Sequence, residues 1–207
     1  ALVCLLIFCL PSMVVGKTFT NCGGNFSAFL TKAEGYATQL GVSSRVLKKT
    51  IRQTKFNPKI IELDRKQRSF KLSFLDFSKR AINDYRLVNG KKKFKKYQNV
   101  FNEALARYGV PKEVITAFWA METDFGAVQG DFNTLNSLAS LAFDCRRPEL
   151  FQPEFIAAMQ LIERGDIDYE TTGAWAGEIG QVQMLPQDIL EFGIDGNKDG
   201  QISLKET

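Results

Sequence analysis

A mostly α-helical protein with at most a small β element is what this sequence predicts, on three observations. Apolar residues recur at helical spacing through 26–56 and again from 97 onward. Glycine and proline fall where helices stop and start, with Gly109, Gly126 and Gly165 at ends and Pro111 at a beginning. Finally, 44% of the 207 residues are hydrophobic and 17 are Phe, enough bulk for one core, or a core with a smaller helical lobe.

The first sixteen residues read as an export signal. Ala1 to Leu10 is almost wholly apolar, Pro11 breaks the run, and Val14-Val15-Gly16 offers small residues for cleavage. The run is too short for a membrane span, and it lacks an initiating Met and a basic flank, so a signal peptide truncated at its start is expected over 1–16. Cys4 and Cys9 fall inside it. Cys22 and Cys145 remain, an even pair in an exported chain, which suggests a disulfide, although no spacing rule fixes the pairing.

An N-terminal helical lobe is expected over 17–96. Phe26, Phe29, Leu30 and Ala33 share one helical face, and Val42, Val46, Leu47 and Ile51 another, with Ser43-Ser44 as a helix start. Asn57-Pro58 reads as a turn, and Phe70 to Phe77 has mixed spacing that suits strand or helix. Residues 91–96 form a basic run, read as the solvated first turns of a helix continuing through Tyr97, Val100, Phe101 and Leu105. The run lacks the aromatic interleaving of a strand-binding surface, so no nucleic-acid partner is expected. Further helices are expected to about Tyr108, from Pro111 to Gly126, over 135–144 and over 153–164.

The net charge is +4 and histidine is absent. That excludes a Ser-His-Asp triad, a Cys-His pair and His-ligated zinc, and leaves acid/base work to a carboxylate, Lys, Tyr or Cys. Glu122 stands out. Ile115, Phe118 and Trp119 precede it at helical spacing, so it sits on an apolar stripe where burial would favour the protonated acid. The structural alternative is a glutamate that reaches solvent or pairs with an arginine. Asp124 points about 200° around the same helix, and Asp131 lies in the following loop. A paired-carboxylate hydrolase using Glu122 with Asp131 stays open beside a single-carboxylate mechanism.

Three ordered blocks carry a family resemblance: YGVPKEVITAFWAMETDFG (108–126), LNSLASLAFDCRRPELF (135–151) and GAWAGEIGQVQMLP (173–186). They resemble the lytic murein transglycosylase B family, periplasmic enzymes with a lysozyme-like core. The likeness is strong over 97–207 and looser over 22–60. It implies an exported, periplasmic lyase acting on peptidoglycan glycan strands, in which Glu122 protonates the β-1,4 glycosidic oxygen between N-acetylmuramic acid and N-acetylglucosamine. Glu122 then assists the muramic 6-hydroxyl in closing to a 1,6-anhydro end, with no catalytic cofactor. Thr123, Arg146, Arg147, Gln183 and Met184 match substrate-binding positions. Helix capping is an equal alternative for the arginines.

There are departures from the family pattern. Thr123 stands where relatives often have Ser, Ala174 where a hydroxylated residue is common, and Met184 where Phe is usual. The resemblance also implies helices beyond Thr207, so the lysozyme-like core over 97–207 is expected to be incomplete. A monomer is expected, and membrane attachment stays open. A non-catalytic glycan-binding module is the alternative from another functional class.

Residues 195–206 satisfy a twelve-residue EF-hand-like pattern. Asp195, Asn197, Asp199, Ser203 and Glu206 supply side-chain ligands and Gln201 a carbonyl, with Gly200 at the sharp turn. A structural calcium ion is expected there, one that braces the fold.

Overall fold

The computed structural model describes residues 18–66 and 72–205. The expected signal over 1–16, Phe70, and the Glu206 ligand lie outside the described residues. Ten helices and one two-stranded sheet are present among them, so the mostly helical expectation is met. No helix among the described residues is long and apolar enough to cross a membrane.

Three helices open the chain: α1 (Phe26–Gln39), α2 (Ser44–Gln53) and α3 (Pro58–Lys66). Asn25 and Ser43 cap the first two by accepting from Ala28 N and Val46 N. The Asn57-Pro58 turn proves to be a helix entry, because proline's missing N–H costs nothing at a first helical position. Then follow α4 (Phe74–Ala81) and α5 (Asp84–Lys96). The 74–77 part of the ambiguous stretch is thereby helical. The basic run closes α5 instead of opening the next helix, for the last turn's free carbonyls favour cations such as Lys93, Lys95 and Lys96.

Tyr97 breaks the chain into α6 (Gln98–Tyr108), which ends on left-handed Gly109, and Pro111 caps α7 (Lys112–Thr123). After a loop come strand β1 (Phe132–Asn133), α8 (Thr134–Phe143), α9 (Pro148–Arg164), strand β2 (Thr172–Gly173) and α10 (Pro186–Phe192). The strands are antiparallel, with Phe132 opposite Gly173 and Asn133 opposite Thr172. α9 begins at Pro148, earlier than the 153 expected, and runs through Pro153 to left-handed Gly165.

α9 is the centre of the molecule. Phe151 through Met159 is buried without a break, the pattern of a helix covered on every side. Its Phe155 and Met159 pack with Phe29, Leu47 and Ile60 from the first three helices and with Leu138 of α8. Packing therefore crosses the expected boundary at 96/97: α1, α2 and α3 share one core with α8 and α9, and α5 packs on α6 and α7. A second, smaller cluster forms where α7 meets α5 and α6, around Trp119, Ala120 and Phe125.

Two covalent or buried ties hold the N-terminal segment. Cys22 and Cys145 form a disulfide. Gln152, fully buried, accepts from Phe19 N and Thr20 N at 2.9 and 3.2 Å and donates to Thr20 O. Leaving that amide unpaired would cost its desolvation, so its partners are fixed.

Candidate active site

α7 carries Glu122 in its last turn. The helix buries Thr116, Trp119, Ala120 and Thr123, one stripe at i, i+3, i+4 and i+7. Of the apolar residues expected on the Glu122 face, Trp119 lies in this buried stripe, whereas Ile115 and Phe118 share the neighbouring face with Glu122, where only Ile115 is partly covered. Phe118 is 61% exposed and Glu122 is exposed. The expectation that Glu122 is partly buried is corrected: α5 and α6 cover the Thr116–Thr123 stripe and leave the acid on the open side. Glu122 makes no hydrogen bond or ion pair among the described residues, so both carboxyl oxygens are available.

The backbone behind the acid is tightly constrained. α7 stops at Thr123, short of Gly126, because Asp124, Phe125 and Gly126 all adopt left-handed conformations (φ 49, 64 and 88°). Two consecutive non-glycine residues there carry strain, which the surroundings must hold. Phe125 N donates to Trp119 O, and the Phe125 ring packs against Trp119. Asp124 bonds Arg86 Nε at 2.6 Å. Asp124 thus faces away from Glu122, held by α5 through a left-handed cap, not by helical periodicity.

Thr123, expected at the substrate, is 1% exposed and does other work. Its Oγ1 donates to Gln181 O at 2.5 Å and accepts from Gly126 N at 2.9 Å. With Trp119 Nε1 donating to Gln181 Oε1 at 2.7 Å, it pins the end of α7 to the 180–184 segment. Gln181 is a positioning residue that sequence reasoning missed. Gly180 is left-handed (φ 81°), and a Cβ there would collide with Leu204, so only glycine lets the loop from 195 approach.

Gln183 is half-buried, with Nε2 donating to Gly180 O at 2.8 Å and Gln129 O at 3.2 Å. Met184 turns inward against Ile179, Leu161 and Ile189, and its backbone exchanges hydrogen bonds with Ile179. Its side chain is half-buried.

Arg146 and Arg147 converge on Asp64 of α3, which is 1% exposed. Arg146 Nη1 lies 2.7 Å from Oδ2, Arg147 Nη2 bonds Oδ1, and Arg65 Nη1 lies 3.2 Å from Oδ2. Burial pushes the Asp64 carboxyl upward, but the arginine hydrogen bonds and charges outweigh it and hold the pKa below the ordinary value. The arginine pair is first a structural clamp. Its guanidinium side chains remain 40% and 34% exposed.

A second carboxylate, also missed in the sequence, lies within electrostatic reach of the acid. Burial above all raises the pKa of Glu178; backbone amides and Arg147 pull it down, and the Glu122 charge pushes it up, leaving it raised. Behind it, Glu154 of α9 is 4% exposed and is pushed up to about 7, mainly by burial, although Gln187 N donates to it. The readable signal was a lone Glu in the small and apolar Ala-Gly-Glu-Ile-Gly stretch. Asp131, by contrast, is exposed and has no hydrogen bond or ion pair among the described residues.

The loop from 195 is organised by Asp195, the expected first ligand. Asp195 accepts from Lys198 N, Asp199 N and Gly200 N. Asn197 Nδ2 donates to Asp199 Oδ2 at 2.7 Å, the chief reason the Asp199 pKa is lowered. The donors are hard oxygens suited to calcium, though no group of three acidic, His or Cys side chains is gathered among the described residues.

A family model described as a transglycosylase SLT domain matches residues 25–207. The chain is 32% identical over 135 residues to the membrane-bound lytic murein transglycosylase B of Escherichia coli K12, covering 64% of this chain and 37% of that protein. Its fold is similar to SltB3 from Pseudomonas aeruginosa in complex with NAG-anhNAM-pentapeptide, with a TM-score of 0.83 and 26% identity, over 89% of this chain and 50% of that one. It is also similar to an Escherichia coli lytic transglycosylase in complex with calcium, with a TM-score of 0.77 and 26% identity, over 89% and 61% of the two chains. The chain thus spans half or less of the length of the first two of these. With a matching family model from the first helix to the last residue, the chain belongs to the transglycosylase SLT domain family.

Proposed function

We propose that this chain is the catalytic part of an exported, periplasmic peptidoglycan lytic transglycosylase with Glu122 as its single acid/base. The observation that carries the reading is an unpartnered carboxyl on an open helix face whose backbone is locked from behind by Thr123, Trp119 and Gln181. A glycan strand lying over Phe118 and Glu122 would withdraw water from the carboxyl, and desolvation favours its protonated form. The acid gives its proton to the glycosidic oxygen as the C1–O bond breaks. The resulting carboxylate takes the proton of the muramic 6-hydroxyl as that oxygen bonds C1, which closes a 1,6-anhydro ring and consumes no water.

Glu178 fits this scheme better than a two-carboxylate one. Burial and the Glu122 charge both raise the Glu178 pKa, which disfavours the ionised form that a second catalytic carboxylate would need. Gln183 and the exposed edges of Arg146 and Arg147 would contact the strand in this reading, which their partial exposure supports, and the SltB3 complex suggests a substrate bearing peptide arms. Digestion of purified sacculi followed by mass spectrometry tests the reaction. Anhydro-muramic ends, 18 Da lighter than reducing ends, are expected; a product set made only of reducing ends would replace the proposal with a hydrolase.

The 195–206 loop is proposed to hold a structural calcium ion through Asp195, Asn197, Asp199, Gln201, Ser203 and Glu206. The ion would act as a brace, because the loop is bonded to the site: Gln181 N donates to Leu204 O, and Gln129 Nε2 to Lys205 O. Calcium at about a hundred times its Kd should stabilise the chain by roughly 2.7 kcal/mol. A thermal midpoint that is the same with calcium and with chelator would end the calcium reading.

A further inference from the structure

The guanidinium groups of Arg65, Arg146 and Arg147 are already engaged by Asp64 and Asp144. On the other side of α7, Lys93 and Lys96 border a cavity of about 440 Å³ whose wall includes Tyr97, Trp119, Gln181 and Lys205. Lys93 Nζ stands 4.5 Å from the centre of the Trp119 ring and 5.7 Å from that of Phe125. Lys96 Nζ stands 4.7 Å from the Tyr97 ring. Neither ammonium has a carboxylate partner among the described residues, and Lys205 donates only to Thr172.

Rings hold these two cations in place without cancelling their charge. Cation–π contact orders the long lysine stems, a cost an incoming anion would otherwise meet, and leaves the ammonium protons facing the cavity. The wall also lies close to the acid. Trp119 precedes Glu122 by one turn of α7, a rise of about 4.5 Å, and its Nε1 is held by Gln181, the residue whose carbonyl fixes Thr123.

We propose that this cavity is a subsite for a carboxylate on the peptide arm of the glycan substrate. The inference rests on the transglycosylase reading above. The amino-sugar backbone between arms offers no comparable density of negative charge, so only the arm gives two unneutralised lysines a partner. Lysine suits the task, since a flexible point charge follows a mobile arm where a rigid guanidinium fork would demand one geometry. The apolar rings beneath would carry the aliphatic part of the same arm.

The test uses the Glu122→Gln chain, so that strands bind without being cut, and compares peptide-bearing glycan with the same glycan whose arm carboxylates have been converted to amides. The strand with free carboxylates is expected to bind about tenfold tighter at 50 mM salt, with the margin shrinking at higher salt. Lys93→Gln/Lys96→Gln should bring the two affinities together, and Lys93→Arg/Lys96→Arg should keep most of the preference. Circular dichroism of each variant verifies the fold. Equal affinities in the parent chain, or a preference unchanged by the Gln pair, overturn the subsite while leaving the transglycosylase reading intact. Failure of both strands to bind overturns that reading and the subsite with it.

Discussion

Glu122→Gln should lower the rate at which the chain solubilises murein sacculi by about a thousandfold, within the range for removal of a general acid. The amide keeps the size and the hydrogen-bonding reach of the carboxyl but has no proton to give the leaving oxygen. The same change should leave the thermal midpoint almost where it was, because Glu122 is exposed and has no hydrogen bond or ion pair to lose. That combination distinguishes a chemical role from a structural one. Turbidity decay of sacculi gives the rate and circular dichroism the midpoint. Lysis at the parental rate would remove Glu122 from the reaction and with it the assignment of the whole site. Glu178→Gln provides the contrast: if Glu178 is not a second catalytic carboxylate, its variant should still form anhydro ends.

Much of this arrangement was legible in the sequence, and its omissions have physical causes. Gly109 and Pro111 placed the boundary between α6 and α7 correctly, because a left-handed C-cap and a proline entry are local requirements that no distant contact overrides. Helical spacing also grouped Ile115, Phe118 and Trp119 with Glu122, of which Trp119 falls in the buried stripe instead. Which face of α7 is covered is a different question, decided by α5 and α6, and the choice fell on a stripe containing Thr116 and Thr123. Two threonines in the buried stripe, with Phe118 on the open face, reverse the polarity that spacing alone would suggest.

The same distinction separates the disulfide from the arginine clamp. Cys22 and Cys145 remain as a suggested pair once Cys4 and Cys9 are assigned to the expected signal, and they do form the disulfide. Asp64 lies 82 and 83 residues before Arg146 and Arg147, in a helix whose start was read as a turn, and no local pattern links them. Glu178 was hidden for a related reason. Its raised pKa arises from burial and from a charge on α7, a helix that its neighbours in sequence never touch on paper.

Asp64→Asn should be the most destabilising single change on the surface-facing side of the core, costing about 3 kcal/mol at pH 7. Breaking a buried ion pair by removing one partner costs roughly 3–5 kcal/mol, and the lower end applies because Arg146 and Arg147 are 40% and 34% exposed and regain some hydration. Asn retains one oxygen for a single guanidinium, whereas the carboxylate serves Arg65, Arg146 and Arg147 together. The loss falls beside Cys145 and at the root of α9, so the disulfide would keep the segments near each other without restoring their orientation. The pH dependence follows from the depressed pKa. In the unfolded chain Asp64 titrates near the ordinary value of about 3.9, and in the fold it stays ionised below that. Its stabilisation is therefore complete above about pH 5 and is lost as the pH falls through the depressed folded value. Urea denaturation of both proteins at pH 7 and again near pH 3 should show a wide gap that narrows in acid. A gap of the same size at both pH values would mean that the Asp64 charge contributes nothing and that the arginines are held by packing alone.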